Sequence, residues 1–187
     1  VVTFGGEVVR IAPVVNFTAP GGSATLNGLY YADDGQHIEH RLLVDHSVLN
    51  CSSRILYKGA LQGDARSNLP DAHTVWVGDV LIRAEAEGTD TYEMNRNLVL
   101  TDGARADSVP NLEIETGEIA GAGHASAVGR FDDEHLFYLM SRGIPEAEAR
   151  RLVVRGFFGE VISRIGVPEV RERITEAVEA ELQSSGL

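Results

Sequence analysis

Histidine and cysteine are the side chains with which this chain could hold a metal, and they are few: six histidines and one cysteine in 187 residues. His37, His40 and His46 stand close together beside Asp45, and imidazole and carboxylate are both transition-metal ligands. Successive side chains of an extended strand alternate faces. His40 and His46 therefore share a face and His37 takes the other. Two ligands so placed need others from distant segments, and packed or hydrogen-bonded histidines are the plainer reading. His124 sits in Gly121-Ala122-Gly123-His124-Ala125-Ser126. Its small neighbours leave the imidazole accessible, which suits a ligand and equally a plain exposed histidine. Cys51, within Asn50-Cys51-Ser52-Ser53, reads as a buried small hydrophobe. A single cysteine excludes both an internal disulfide and an all-cysteine metal site within the chain. There is no GxxxxGK[ST], GxSxG, HExxH or CxxC. The acidic residues are spread over turns and helix surfaces, which does not support a two-carboxylate hydrolase.

The elements that must position these residues change character once along the chain. Fifteen of the twenty glycines lie in residues 1–130. Several open a short alternation of apolar and polar residues: Gly22, Gly35, Gly63 (into Asp64-Ala65-Arg66-Ser67), Gly103 and Gly117. Their spacing gives a loose beat of about 14 residues, or twice that, which a β-solenoid would produce. An ordinary β-sandwich, with turns every 8–12 residues or so, stays open on this evidence. The strand candidates are Glu7–Ile11, Thr25–Tyr31, His37–Val44, Arg54–Leu61, Thr74–Ile82, Asn97–Thr101 and Leu112–Ile119, rich in β-branched and aromatic residues.

From Phe131 the pattern is helical. Asp132 or Asp133 can cap a first helix carrying Leu136, Phe137, Leu139 and Met140, and Gly143 stops it. Pro145 opens a second helix running to about Ile165, and Pro168 a third with Val170, Ile174, Val178 and Leu182 in a stripe. The apolar residues of the second helix spread over half its circumference, so it either lies deep among the helices or is covered by a partner. Two parts are expected: residues 1–130, mainly β, and residues 131–187, helical.

Composition narrows the function. The net charge is −12 and the basic residues are scattered, which argues against a nucleic-acid partner. No run approaches the roughly 18 apolar residues of a membrane helix. The chain begins at Val1 rather than Met, and a missing upstream segment is expected.

Several segments together resemble the SufB/SufD family. Leu136-Phe137-Tyr138-Leu139-Met140-Ser141-Arg142-Gly143-Ile144 with Glu146-Ala147-Glu148-Ala149-Arg150-Arg151-Leu152 is similar to its C-terminal signature. Leu56-Tyr57-Lys58-Gly59, Asn95-Arg96-Asn97-Leu98, Pro110-Asn111-Leu112-Glu113-Ile114 and Gly123-His124 with Val128-Gly129 resemble the SufD branch. The resemblance covers roughly residues 25–165. It implies a mainly β chain, a right-handed parallel β-helix followed by a C-terminal α-helical domain. It implies a non-catalytic scaffold for iron–sulfur cluster assembly in the bacterial cytoplasm, with no tightly bound cofactor and a transient Fe–S cluster in the complex. Its partners would be SufB, paired through the β-helix, and the SufC ATPase, docked on the C-terminal helices. A homodimer of the isolated chain is also open.

Residue by residue, His124 falls on the family histidine proposed as a ligand of the nascent cluster, a role imidazole can fill. Ala122 stands where many members have cysteine. The SufB cluster cysteine falls near Asn95–Arg96, where there is no thiol. Leu152, Phe157, Phe158 and Ile162 become the expected partner-binding residues. The competing reading is a β-solenoid carbohydrate-active enzyme, which would need carboxylates grouped on one face. A hexapeptide-repeat acyltransferase lacks its six-residue repeat here.

Overall fold

The computed structural model describes residues 1–64 and 66–184. Ala65, in the segment led by Gly63, and residues 185–187, at the end of the expected helical part, lie outside them. Ten strands and three helices follow one another: β1 (Val2–Phe4), β2 (Val8–Ile11), β3 (Val14–Asn16), β4 (Ser23–Ala32), β5 (His37–His46), β6 (Ser52–Leu61), β7 (His73–Ile82), β8 (Asp90–Val99), β9 (Arg105–Ile114), β10 (Gly121–Arg130), α1 (Asp133–Met140), α2 (Glu146–Ser163) and α3 (Pro168–Ser184).

From β4 on, consecutive strands alternate between two sheets. One has the order β1-β4-β6-β8-β10; in the other β5, β7 and β9 stack in turn, with β2 and β3 both on the far side of β5. Every pairing is parallel. Ser23, Ser52, Asp90 and Gly121 stack in register, 29, 38 and 31 residues apart. The chain is thus a two-sheeted parallel β-helix, and the doubled beat is one coil of it. The longest coil carries the connection between β6 and β7, which holds Gly63.

The inward faces enclose Tyr30, Ile38, Leu42, Ile55, Tyr57, Leu61, Trp76, Val80 and Ile82. Several polar groups inside pair with one another, which offsets the cost of burying them. The Tyr30 hydroxyl donates to Asn97 Oδ1 at 2.7 Å, and Asn95 Nδ2 donates back to the Tyr30 oxygen at 3.0 Å. Asn97 Nδ2 closes the network on Asn95 Oδ1 at 2.7 Å. Burial pushes the Tyr30 phenol up. Gly59 makes the network possible, because a Cβ there would collide with the Tyr30 ring and Asn97 Oδ1.

The helices rest against the outer face of the first sheet. Val154, Phe158 and Val161 of α2, with Val178 and Leu182 of α3, pack on Leu29, Tyr31, Leu56, Ala60 and Leu100. Lys58, nearly buried, points out of β6 into α2. Its Nζ donates to the Phe157 carbonyl at 2.9 Å and pairs with Glu160 Oε2 at 2.6 Å. Asp132 caps α1 through a bond from the Glu134 amide, and Gly143 adopts φ 84° just past its end. Pro145 is the residue before α2 rather than its first helical residue.

Candidate functional site

The last coil is open. Within the described sheets β10 pairs only with β8, and β9 only with β7. The amides of Gly121 and Phe131, at the two ends of β10, donate to Thr89 and Val99. In a parallel ladder a residue turns its N–H and C=O toward the same neighbour. The odd-numbered residues of β10 therefore bond to β8, and the even-numbered ones turn their backbone groups to the free edge. Such an edge is a template for a further strand.

His124 lies on that strand, in register with Glu93 of β8. Register partners on neighbouring strands share a face, and Glu93 points inward between the sheets. Among the described residues no further coil covers β10, so the His124 side chain is 45% exposed while Glu93 is 0% exposed. His124 Nδ1 stands 3.9 Å from Glu93 Oε1. Neither Glu93 carboxyl oxygen has a hydrogen-bond partner among the described residues. Gly78 supplies the space, since a Cβ there would collide with Glu93 Oε2 and the Trp76 ring.

Burial, with the charge of Asp79, pushes the Glu93 carboxyl up to about 8. A raised acid pKa means the folded chain keeps a proton that the unfolded chain gives up above the ordinary carboxylate range. Stability attributable to Glu93 is thus full in mild acid and falls as pH rises toward 8. Glu93→Gln is expected to flatten this decline, a difference on the order of a few kcal/mol at pH 8. Denaturant titrations of both proteins at pH 5 and pH 8 check it.

The other histidines are placed elsewhere. His40 Nε2 lies 3.0 Å from Thr3 Oγ1, and His46 Nε2 lies 3.0 Å from Ser53 Oγ, both inside the coil. Burial depresses His40 to about 4, so it stays neutral. His37 and His73 meet on the outer face of the second sheet, Nδ1 to Nδ1 at 3.1 Å, and His73 Nε2 bonds Asp107 at 2.8 Å. Cys51 is buried, with Sγ 3.6 Å from the carbonyls of Ala19 and Leu49. Ala122 stacks on Thr91, and Asn95 belongs to the interior network. No group of three or more His, Cys, Asp or Glu side chains among the described residues is arranged to hold a metal ion. A cluster at His124 would be cargo rather than a resident cofactor; the imidazole nitrogen suits iron as a donor type.

Of the expected partner-binding residues, Phe158 is fully buried against the first sheet, and Phe157 and Ile162 pack beside it. Phe158 is spent inside the chain, which corrects its assignment to a surface: the wide apolar face of α2 is matched by the sheet. Leu152 remains exposed, as do Phe137, Tyr138 and Met140 of α1. Glu93 is not singled out by the sequence, and Phe137, Tyr138 and Met140 read there as helix residues rather than as an exposed patch.

The SUF system FeS cluster assembly SufBD core domain profile matches residues 1–157. The chain belongs to the SufBD family. An iron–sulfur cluster assembly SufBD family protein of Mycobacterium tuberculosis is 75% identical over 182 residues, 97% of this chain and 46% of that protein. The iron–sulfur cluster assembly protein SufD of Escherichia coli is 26% identical over 170 residues, 91% of this chain and 38% of it. SufD of Bacillus subtilis is 36% identical over 112 residues, 60% of this chain and 25% of it. The chain spans about half the length of the mycobacterial relative and less of the two SufD proteins. The matched family and these relatives carry iron–sulfur cluster assembly in their descriptions, and the carbohydrate-active reading finds no support. No described helix is long and apolar enough to cross a membrane.

Proposed function

We propose that this SufBD family chain is a non-catalytic scaffold subunit of a cytoplasmic SufBCD complex. The observation that carries the reading is the open coil end, where the free edge of β10 holds a half-exposed histidine. SufB pairs with the β9 and β10 edges, and its own ligands complete the coordination of a transient Fe–S cluster at His124. SufC docks on the helical part through Leu152 and the exposed α1 residues Phe137, Tyr138 and Met140. Closure of two ATP-bound SufC subunits then pulls on α2. Lys58 fastens α2 to β6, which stacks through β8 on β10, so the pull reaches the paired edge. The coupling requires the closed ATPase pair to bind one arrangement of the helices better than the other.

His124→Ala, made in the complex reconstituted with SufB and SufC, tests the site. The complex should assemble as before, with cluster yield reduced about tenfold or more, as for loss of a metal ligand. Unchanged cluster yield removes His124 from the mechanism.

A further inference from the structure

Glu93 has no explanation in the packing of the coil. A buried carboxyl with both oxygens unpartnered is costly, yet the fold makes room for it by keeping residue 78 a glycine. A neighbour with hydrogen-bonding capacity is the His124 imidazole, whose Nδ1 approaches Oε1 to 3.9 Å. The two ring nitrogens flank Cε1 and point their hydrogen-bonding directions apart. With Nδ1 turned to the buried carboxyl, Nε2 is the nitrogen presented to the open coil end.

We propose that Glu93 is the positioning residue of His124: it accepts the Nδ1–H hydrogen bond from inside the coil and fixes Nε2 as the nitrogen offered to iron. Metal-bound histidines commonly hand their other N–H to a carboxylate or carbonyl, which sets the tautomer and the ring orientation. Either the carboxylate or the carbonyl oxygen of the neutral acid can accept that bond. Closing 3.9 Å to a hydrogen bond takes a shift of about 1 Å, within reach of a ring on an uncovered strand. The proposal deepens the reading of His124 as a ligand and rests on it.

The acceptor and direct-ligand roles separate by substitution. Glu93→Gln keeps a carbonyl acceptor of the same shape, whereas Glu93→Met keeps the volume and removes the acceptor. The probe is Co(II) alone, titrated into the SufB–SufC complex of each protein and followed by its visible absorption bands, with thermal unfolding measured in parallel. Glu93→Met should weaken Co(II) binding about 10- to 100-fold, while its unfolding midpoint stays at or above that of the parent. Glu93→Gln should bind within a few-fold of the parent. Equal losses in both variants would make Glu93 a ligand in its own right and overturn the positioning role; no loss in Glu93→Met would overturn it as well. His124→Ala in the same titration separates the two levels. If it binds Co(II) as the parent does, the ligand reading itself fails. If it loses binding while Glu93→Met does not, only the role of Glu93 fails.

Discussion

Phe158→Ala is expected to lower the stability of the chain by about 3–5 kcal/mol, as truncation of a fully buried aromatic does. Phe158 has no exposed surface and sits where α2, α3 and the outer face of the first sheet meet, against residues from β4 and β6. Three elements lose a common neighbour at once, and the ring leaves a cavity that a helix pinned by Lys58 cannot easily close. Denaturant titration checks the figure. A loss below about 1 kcal/mol would mean that the helices are not seated on the sheet through this residue. The change also separates stability from docking, because Leu152 and the α1 patch are untouched by it.

Ser126→Pro is expected to weaken pairing with SufB by about 10- to 100-fold while leaving the β-helix folded. Ser126 is an even-numbered residue of β10, so its amide faces the free edge rather than β8. Proline deletes that donor and puts a ring in the path of an incoming strand, and proline is tolerated on edge strands for this reason. One lost backbone bond contributes about 0.5–1.5 kcal/mol; with the steric cost of the ring, the sum corresponds to the stated range. Ser126→Lys, with a charged side chain on the same exposed position, should act in the same direction without altering the backbone. Affinities measured by titration calorimetry against SufB decide it. Wild-type affinity in both variants would place the interface elsewhere.

The legibility of the chain followed its side-chain contrast. β4 to β7 were read nearly to their ends because Tyr30, Leu42, Ile55 and Trp76 alternate with outward residues. β8 was read only at its tail. Its inward residues are Thr91, Glu93, Asn95 and Asn97, all buried and polar, so the pleat carries no hydrophobic signal. The Leu112–Ile119 candidate likewise caught the end of β9 and overran it. β10 carries no strand signal of its own, because Gly and Ala have low strand propensity; pairing with β8 along its whole length makes it a strand. β1 and β3, three residues each, are too short to show a period.

The site divides along the same line. His124 was legible as an accessible imidazole, and the family resemblance gave it a role. Glu93 was not, because its meaning comes from stacking across coils: register with His124 on one side and space over Gly78 on the other. The burial of Phe158 was hidden for a similar reason. An apolar helix face looks the same in sequence whether its cover is a partner or a sheet from the same chain. Here the outer side of β4 and β6 carries Leu29, Tyr31, Leu56 and Ala60, which is the cover that α2 needs.

The scaffold account is tested most directly by the native mass of this protein alone, with SufB, and with SufB and SufC together. The account predicts a one-to-one pair with SufB, lost in Ser126→Pro, and a further gain of two SufC subunits in the full mixture. A self-pair of the protein alone that SufB displaces would fit the same edge. A protein that keeps its own mass in every mixture would contradict the account.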